Sequence, residues 1–158
     1  MRAVVPGSFD PVTNGHLDVF RRASVLFGDV VVGVGVNSTK SYLFPPAERL
    51  ELVRAAVAGI PGVTAQPLDG LLVDLCRRVG AGVVVKGGRG GADFEFEVQM
   101  AQMNHALTGV ETVVLPASAE WAYVSSTLVR QIALLGGDVA AFVPPGVLDR
   151  LLTRRNDG

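Results

Sequence analysis

The chain has one cysteine, Cys76, in 158 residues, so it can form no internal disulfide, and a reduced, cytoplasmic setting is expected. No apolar run reaches 18 residues, which argues against a membrane span despite a mean hydropathy of +0.38. Charge of one sign is also missing. Lys and Arg total 14 against 15 Asp and Glu, a net charge of −1, which argues against a general binder of nucleic acid or anionic membrane. The opening MRAVVPGSFD carries one basic residue and runs straight into a strand pattern, so it does not read as a signal peptide. No GxGxxG follows the first apolar run, and GxxxxGKS/T occurs nowhere. These absences exclude the familiar dinucleotide-binding dehydrogenases and P-loop kinases.

What remains is regular. Short β-branched runs at 2–6, 29–36, 63–68, 82–86 and 111–116 predict strands. Helical periods are expected near 15–27, 46–58, 71–79, 93–107, 125–135 and 145–153. The alternation predicts an α/β fold over 1–158 as one domain: a doubly wound, five-stranded parallel sheet with helices on both faces and further C-terminal helices. No internal repeat or low-complexity linker interrupts it, and the final TRRNDG reads as a solvated tail. The 49% hydrophobic content leaves surplus apolar surface, as expected for a chain with subunit contacts.

In such folds ligands bind beyond the carboxyl ends of the strands, where strand order reverses. The loops to read are therefore GSFDPVTNGH, NSTKSYLF, KGGRGGADFE and ASAEWAYVSST. TNGH (13–16) opens a helix with a glycine beside a histidine, either a phosphate cradle or a locally capping histidine. VSSTLVR opens another with Ser125, Ser126 and Thr127, of which one suffices as an N-cap, and Arg130 follows one turn on. GGRGG (87–91) alone reads equally as a turn or a phosphate loop, and its glycines predict a segment that orders with ligand. Asp93 and Glu95 suit the positive end of the next helix. Met100, Met103 and Asn104 share one side of it, where methionine is more often core than site.

T-x-G-H near one end and S-S-T-x-x-R near the other resemble the nucleotidyltransferase superfamily. Within it, PGSFDPVTNGH, VKGGRGGADFEFEVQMAQMN, EWAYVSSTLVRQIA and GGDVAAFVPPGV, in that order over nearly the whole chain, are similar to the phosphopantetheine adenylyltransferase family. The resemblance implies transfer of an adenylyl group from ATP to 4′-phosphopantetheine, with Mg²⁺ carried by ATP. It implies dephospho-coenzyme A and pyrophosphate as products, a homohexamer, and coenzyme A as a feedback inhibitor. It places His16 on the α-phosphate in the transition state, and Ser8 on the phosphates of both substrates. Lys40 and Lys86 fall on the pantetheine phosphate, and Leu72, Met103 and Asn104 along the pantetheine arm. Phe9, Gly87, Gly88, Arg89, Glu97 and the run Trp121, Ala122, Tyr123, Val124, Ser125, Ser126 and Thr127 fall on ATP. The chain departs from the family at Gly88, usually a larger apolar residue, at Phe96, usually tyrosine, and at Thr127, often serine. Two other readings stand beside this one: a sibling enzyme acting on nicotinate mononucleotide or glycerol phosphate, and a nucleotide sensor without catalysis.

Overall fold

The computed structural model describes residues 1–157 and, of these, every side chain except those of residues 92 and 93, so the reading of Asp93 lies outside the described residues. Strands β1 (Arg2–Gly7), β2 (Asp29–Gly35), β3 (Val63–Leu68), β4 (Val83–Gly88) and β5 (Glu111–Pro116) alternate with helices α1 (Asn14–Phe27), α2 (Pro46–Val57), α3 (Leu72–Val79) and α4 (Ala92–Thr108). Helices α5 (Ser126–Leu134) and α6 (Pro145–Asp157) follow. All strand pairs are parallel, in the order β3-β2-β1-β4-β5.

The strands are apolar on both faces because both faces are covered. Val5, Val30, Val32 and Val85 join the larger core with Phe20, Leu52 and Val53. The intervening Val4, Val31 and Val84 join a second core with Leu75, Cys76 and Val79. Cys76 is buried there, and that burial pushes its thiol pKa up, as for an inert core cysteine.

Strand order reverses between β1 and β4, and there the ladder is short. β1 pairs with β2 all the way to Gly7↔Val34, whereas its register with β4 comprises Ala3↔Val83 and Val4↔Val84. The carboxyl halves of β1 and β4 therefore part, and the crevice between them is the start of the site.

Two sequence readings are corrected. The glycines of KGGRGG do not all form a loop: β4 runs through Gly88, which pairs with Pro116 of β5. A Cβ at Gly88 would stand 2.7 Å from Cγ1 of Val114, so the missing side chain is a packing requirement. Gly88→Leu is expected to cost about 1–3 kcal/mol of unfolding free energy through overpacking. Adding Val114→Ala should recover part of that, and equal urea midpoints for Gly88→Leu and wild type would contradict it. The C-terminal segment is solvated at Thr153, Arg155, Asn156 and Asp157, as expected, but it is the end of a helix and not a free tail. α6 continues to Asp157, and Arg154 and Arg150 each reach Glu48 at 2.7 Å, with the Arg154 guanidinium 5.5 Å over the Phe44 ring.

Candidate active site

A cavity of about 560 Å³ opens at the parting of β1 and β4, lined by the loops after β1, β2, β4 and β5 and the starts of α1 and α5. Its floor is built first by the turn after β1. Phe9 has φ +50°, and its ring folds back over Gly7, where a Cβ would lie 2.6 Å from the ring. Only glycine leaves that space, and the Phe9 ring then packs edge-on to His16 (5.0 Å between centroids) and Phe20 (5.4 Å).

Thr13 caps α1, and His16 completes a reciprocal capping box. The Thr13 side chain accepts from the His16 amide at 3.4 Å, and the Thr13 amide donates to His16 Nδ1 at 2.9 Å. Of the two readings of TNGH, local capping is thus satisfied through Nδ1. Because Nδ1 accepts, the proton of the neutral ring sits on Nε2, the nitrogen left for the cavity that His16 lines. Desolvation and, secondarily, the charge of Arg89 lower the His16 pKa to about 4. At neutral pH His16 is an uncharged hydrogen-bond donor set by Thr13.

The start of α5 divides its three hydroxyls. Ser125 is the N-cap, accepting from the Leu128 amide at 3.1 Å. Ser126 donates to the Pro11 carbonyl at 2.7 Å, tying α5 to the turn after β1. Thr127 is the hydroxyl of the three committed to neither contact, and it lines the cavity. The first amides of α5 precede its intrahelical bonds and supply the positive end of the helix dipole.

Four cationic side chains line the cavity: Lys40, Lys86, Arg89 and Arg130. Arg89 donates to the Val124 carbonyl at 3.2 Å, which fixes it against the 121–127 segment. Lys86 lies 3.1 Å from Glu97, and Arg130 lies 3.6 Å from Asp10 while donating to the Asp10 carbonyl. Among the described residues, Lys40 and Arg89 form no ion pair, so their charge is available to an anion. A site of separated cations, two helix starts and a neutral imidazole donor suits a polyphosphate and a second phosphate.

Of the residues singled out from sequence, Ser8, Phe9, His16, Lys40, Lys86, Gly87, Arg89, Glu97, Trp121, Val124, Ser125, Ser126 and Thr127 line this cavity. Gly88, Ala122 and Tyr123 are next to lining residues but outside the lining. Leu72, Met103 and Asn104 lie outside it altogether. Leu72 packs at the margin of the second core, Asn104 is 7% exposed, and Met103 is 62% exposed on α4. Asp10, Tyr42 and Asp18 line the cavity without having been singled out. Asp10 is buried and accepts the amides of Leu43 and Phe44 at 2.8 and 2.9 Å, so it pins the loop after β2 to the turn after β1. Its one sequence signal is an acidic residue before proline at a strand end, too common to be diagnostic.

Comparison with known proteins identifies the family. Residues 4–132 match the cytidylyltransferase-like family. A phosphopantetheine adenylyltransferase of Nocardioides sp. is 58% identical over 153 residues, 97% of this chain and 96% of that protein. Proteins of the same name from Micrococcus luteus and Streptomyces coelicolor are 53% and 48% identical, over 93% and 97% of this chain and 94% and 96% of their own lengths. The chain belongs to the phosphopantetheine adenylyltransferase family. The fold extends further. A Plasmodium falciparum nicotinic acid mononucleotide adenylyltransferase, solved with NaAD, superposes with a TM-score of 0.72 at 14% identity, covering 96% of this chain and 94% of that one. The Thr13–His16 capping box spans the T-x-G-H stretch of the sequence and stands beside the crevice where β1 and β4 part.

Proposed function

We propose that the chain transfers the adenylyl group of ATP to 4′-phosphopantetheine, giving dephospho-coenzyme A and pyrophosphate, a step of coenzyme A biosynthesis. The observation that carries this reading is His16, a neutral donor with Nδ1 fixed by Thr13, lining a cavity that Lys40, Lys86, Arg89 and Arg130 also line. A phosphate monoester with its second pKa near ~6 is already mostly dianionic at pH 7, so it is a nucleophile without a general base. Its oxygen attacks the α-phosphorus in line, the bond to the bridging oxygen of the β-phosphate breaks, and the pair of electrons leaves with pyrophosphate.

The residues divide by role. His16 donates through Nε2 to an α-phosphate oxygen as charge builds there. Ser8 donates to phosphate oxygens of both substrates, and Lys40 and Lys86 neutralise the attacking phosphate. Arg89 and the start of α5 (Ser125, Ser126, Thr127) hold the triphosphate. Phe9, Gly87, Gly88 and Glu97, with Trp121, Ala122, Tyr123 and Val124, shape the nucleotide end. Leu72 at the start of α3 and Met103 and Asn104 on α4 take the pantetheine arm as it leaves the cavity. Mg²⁺ enters with ATP, held by phosphate oxygens and water. Among the described residues no three His, Cys, Asp or Glu side chains cluster to hold a metal of their own.

Residues 1–158 act as one catalytic domain in this reading, in the cytoplasm, with coenzyme A as feedback inhibitor. Among the described residues no helix is long and apolar enough to cross a membrane. Assembly into a hexamer would cover α4, which leaves Phe94, Phe96, Met100, Met103 and Leu107 exposed. The decisive test is product formation from ATP made chiral at the α-phosphorus. Dephospho-coenzyme A with inverted configuration is expected. Retention would replace direct attack with a covalent adenylyl-enzyme, and no dephospho-coenzyme A would sink the function.

The pH dependence has two separate parts. In the folded chain the His16 pKa of about 4 lies below its ordinary 6.5, so between these values the unfolded chain binds more protons than the folded one. The His16 contribution to stability is therefore full above pH 6.5 and is lost as pH falls toward 4. Wild type should lose more urea stability than His16→Ala on going from pH 7 to 4.5; parallel losses would contradict the assignment. The acid limb of kcat/KM should instead fall near the substrate phosphate pKa of about 6.

A further inference from the structure

The loop after β2 carries Tyr42, whose hydroxyl reaches the site through another residue. The Asn37 amide donates to the Tyr42 oxygen at 2.5 Å, and that oxygen lies 3.2 Å from Ser8 Oγ and 3.3 Å from the Asn37 carbonyl. The ring is held in place: the Arg49 guanidinium, fully buried, stacks 4.2 Å from its centroid. Arg49 also donates to the carbonyls of Ser8 (2.5 Å), Gly35 (2.7 Å) and Phe44 (3.1 Å). One guanidinium thus fixes the backbone of Ser8 and the plane of Tyr42 relative to each other.

The protons can be counted. The Tyr42 oxygen already accepts from Asn37, so its single O–H has two acceptors within reach, the Asn37 carbonyl and Ser8 Oγ. If Tyr42 turns its proton to Asn37, Ser8 is left to donate to Tyr42. If Tyr42 donates to Ser8 Oγ, the Ser8 proton is released toward the cavity that both residues line. An anionic phosphate oxygen selects the second arrangement, because a charge-assisted bond is about twice as strong as a neutral one. The result is a directed chain, Asn37 N–H to Tyr42 O–H to Ser8 O–H to phosphate, in which each bond polarises the next.

We propose that Tyr42 is a positioning residue that acts through Ser8: when a substrate phosphate binds, its hydroxyl donates to Ser8 Oγ and so aims the Ser8 proton at the phosphate. The inference rests on the proposed function only in the identity of the phosphate ligands, ATP and 4′-phosphopantetheine. Nothing in the NSTKSYLF sequence marks Tyr42 for this, since Tyr42 and Ser8 of the β1 turn are 34 positions apart.

A double-mutant cycle with Tyr42→Phe and Ser8→Ala tests it, read by calorimetric affinity for each ligand and by pyrophosphate release. Phenylalanine keeps the ring under Arg49, so the thermal midpoint of Tyr42→Phe should stay near wild type. Alone, Tyr42→Phe should weaken phosphate-ligand binding about three- to tenfold, the worth of one hydrogen bond. In the Ser8→Ala background it should change affinity hardly at all. Equal losses in both backgrounds, or none in either, would overturn the proposal. Coupling in binding without turnover would sink the enzymatic reading alone. Turnover with additive losses would sink the Tyr42 inference alone, and a wild-type chain that binds neither ligand would sink both.

Discussion

His16→Ala is expected to lower kcat by about a hundred- to a thousandfold while leaving ATP affinity nearly unchanged. The reason is the geometry of one imidazole. Nδ1 is occupied by the Thr13 amide at 2.9 Å, so the ring cannot turn to choose another partner, and Nε2 carries the proton. Such a fixed donor gains strength as negative charge accumulates on the α-phosphate and contributes little to ground-state binding. Loss in kcat and kcat/KM together is the signature of an interaction made in the transition state. A variant that raised the KM for ATP at unchanged kcat would show that His16 merely binds nucleotide. The low pKa makes the same point: the residue donates a hydrogen bond and does not supply a charge.

Asp10→Ala should cost about 3–5 kcal/mol of unfolding free energy. Asp10 is 3% exposed, and its two oxygens accept the amides of Leu43 and Phe44. Removing it leaves two amides without acceptors and Arg130 without the carboxylate 3.6 Å away. It also deprives the buried Arg49 of a nearby opposite charge. The loop after β2, which carries Lys40 and Tyr42, would lose its anchor to the turn after β1, so the KM for 4′-phosphopantetheine should rise as well. A loss below about 1 kcal/mol in urea unfolding would mean that these amides find other partners.

The sheet was legible because its strands carry apolar residues on both faces. The predicted strands 29–36, 63–68 and 111–116 differ from β2, β3 and β5 by at most one residue. Glycine misled the reading at β4, where conformational freedom suggested a loop. Contact with Val114 is what excludes a side chain at Gly88, and no single stretch of sequence displays that contact. The same limit applies to the C-terminal end. Arg154 of TRRNDG looks solvated until Glu48, 106 positions before it, is folded against it.

The site divides along the same line. His16, Ser8, Lys40 and Arg89 stand in short motifs with recognisable types and spacing, and all four line the cavity. Asp10, Arg49 and Tyr42 work through bonds that join the turn after β1 to residues 33 to 41 positions further along the chain. Leu72, Met103 and Asn104 sit beyond the cavity for separate reasons: Leu72 opens α3 at the margin of the second core, Asn104 is buried on α4, and Met103 faces outward from α4. Their proposed role belongs to the long arm of a substrate, which a cavity fitted to phosphates does not enclose.

The most direct test of the central claim is pyrophosphate release from ATP and Mg²⁺, with 4′-phosphopantetheine compared against nicotinate mononucleotide and His16→Ala run beside wild type. Release with phosphopantetheine alone, reduced at least about a hundredfold in the variant, is the predicted result. Release with nicotinate mononucleotide in its place, or equal release by the variant, would contradict it.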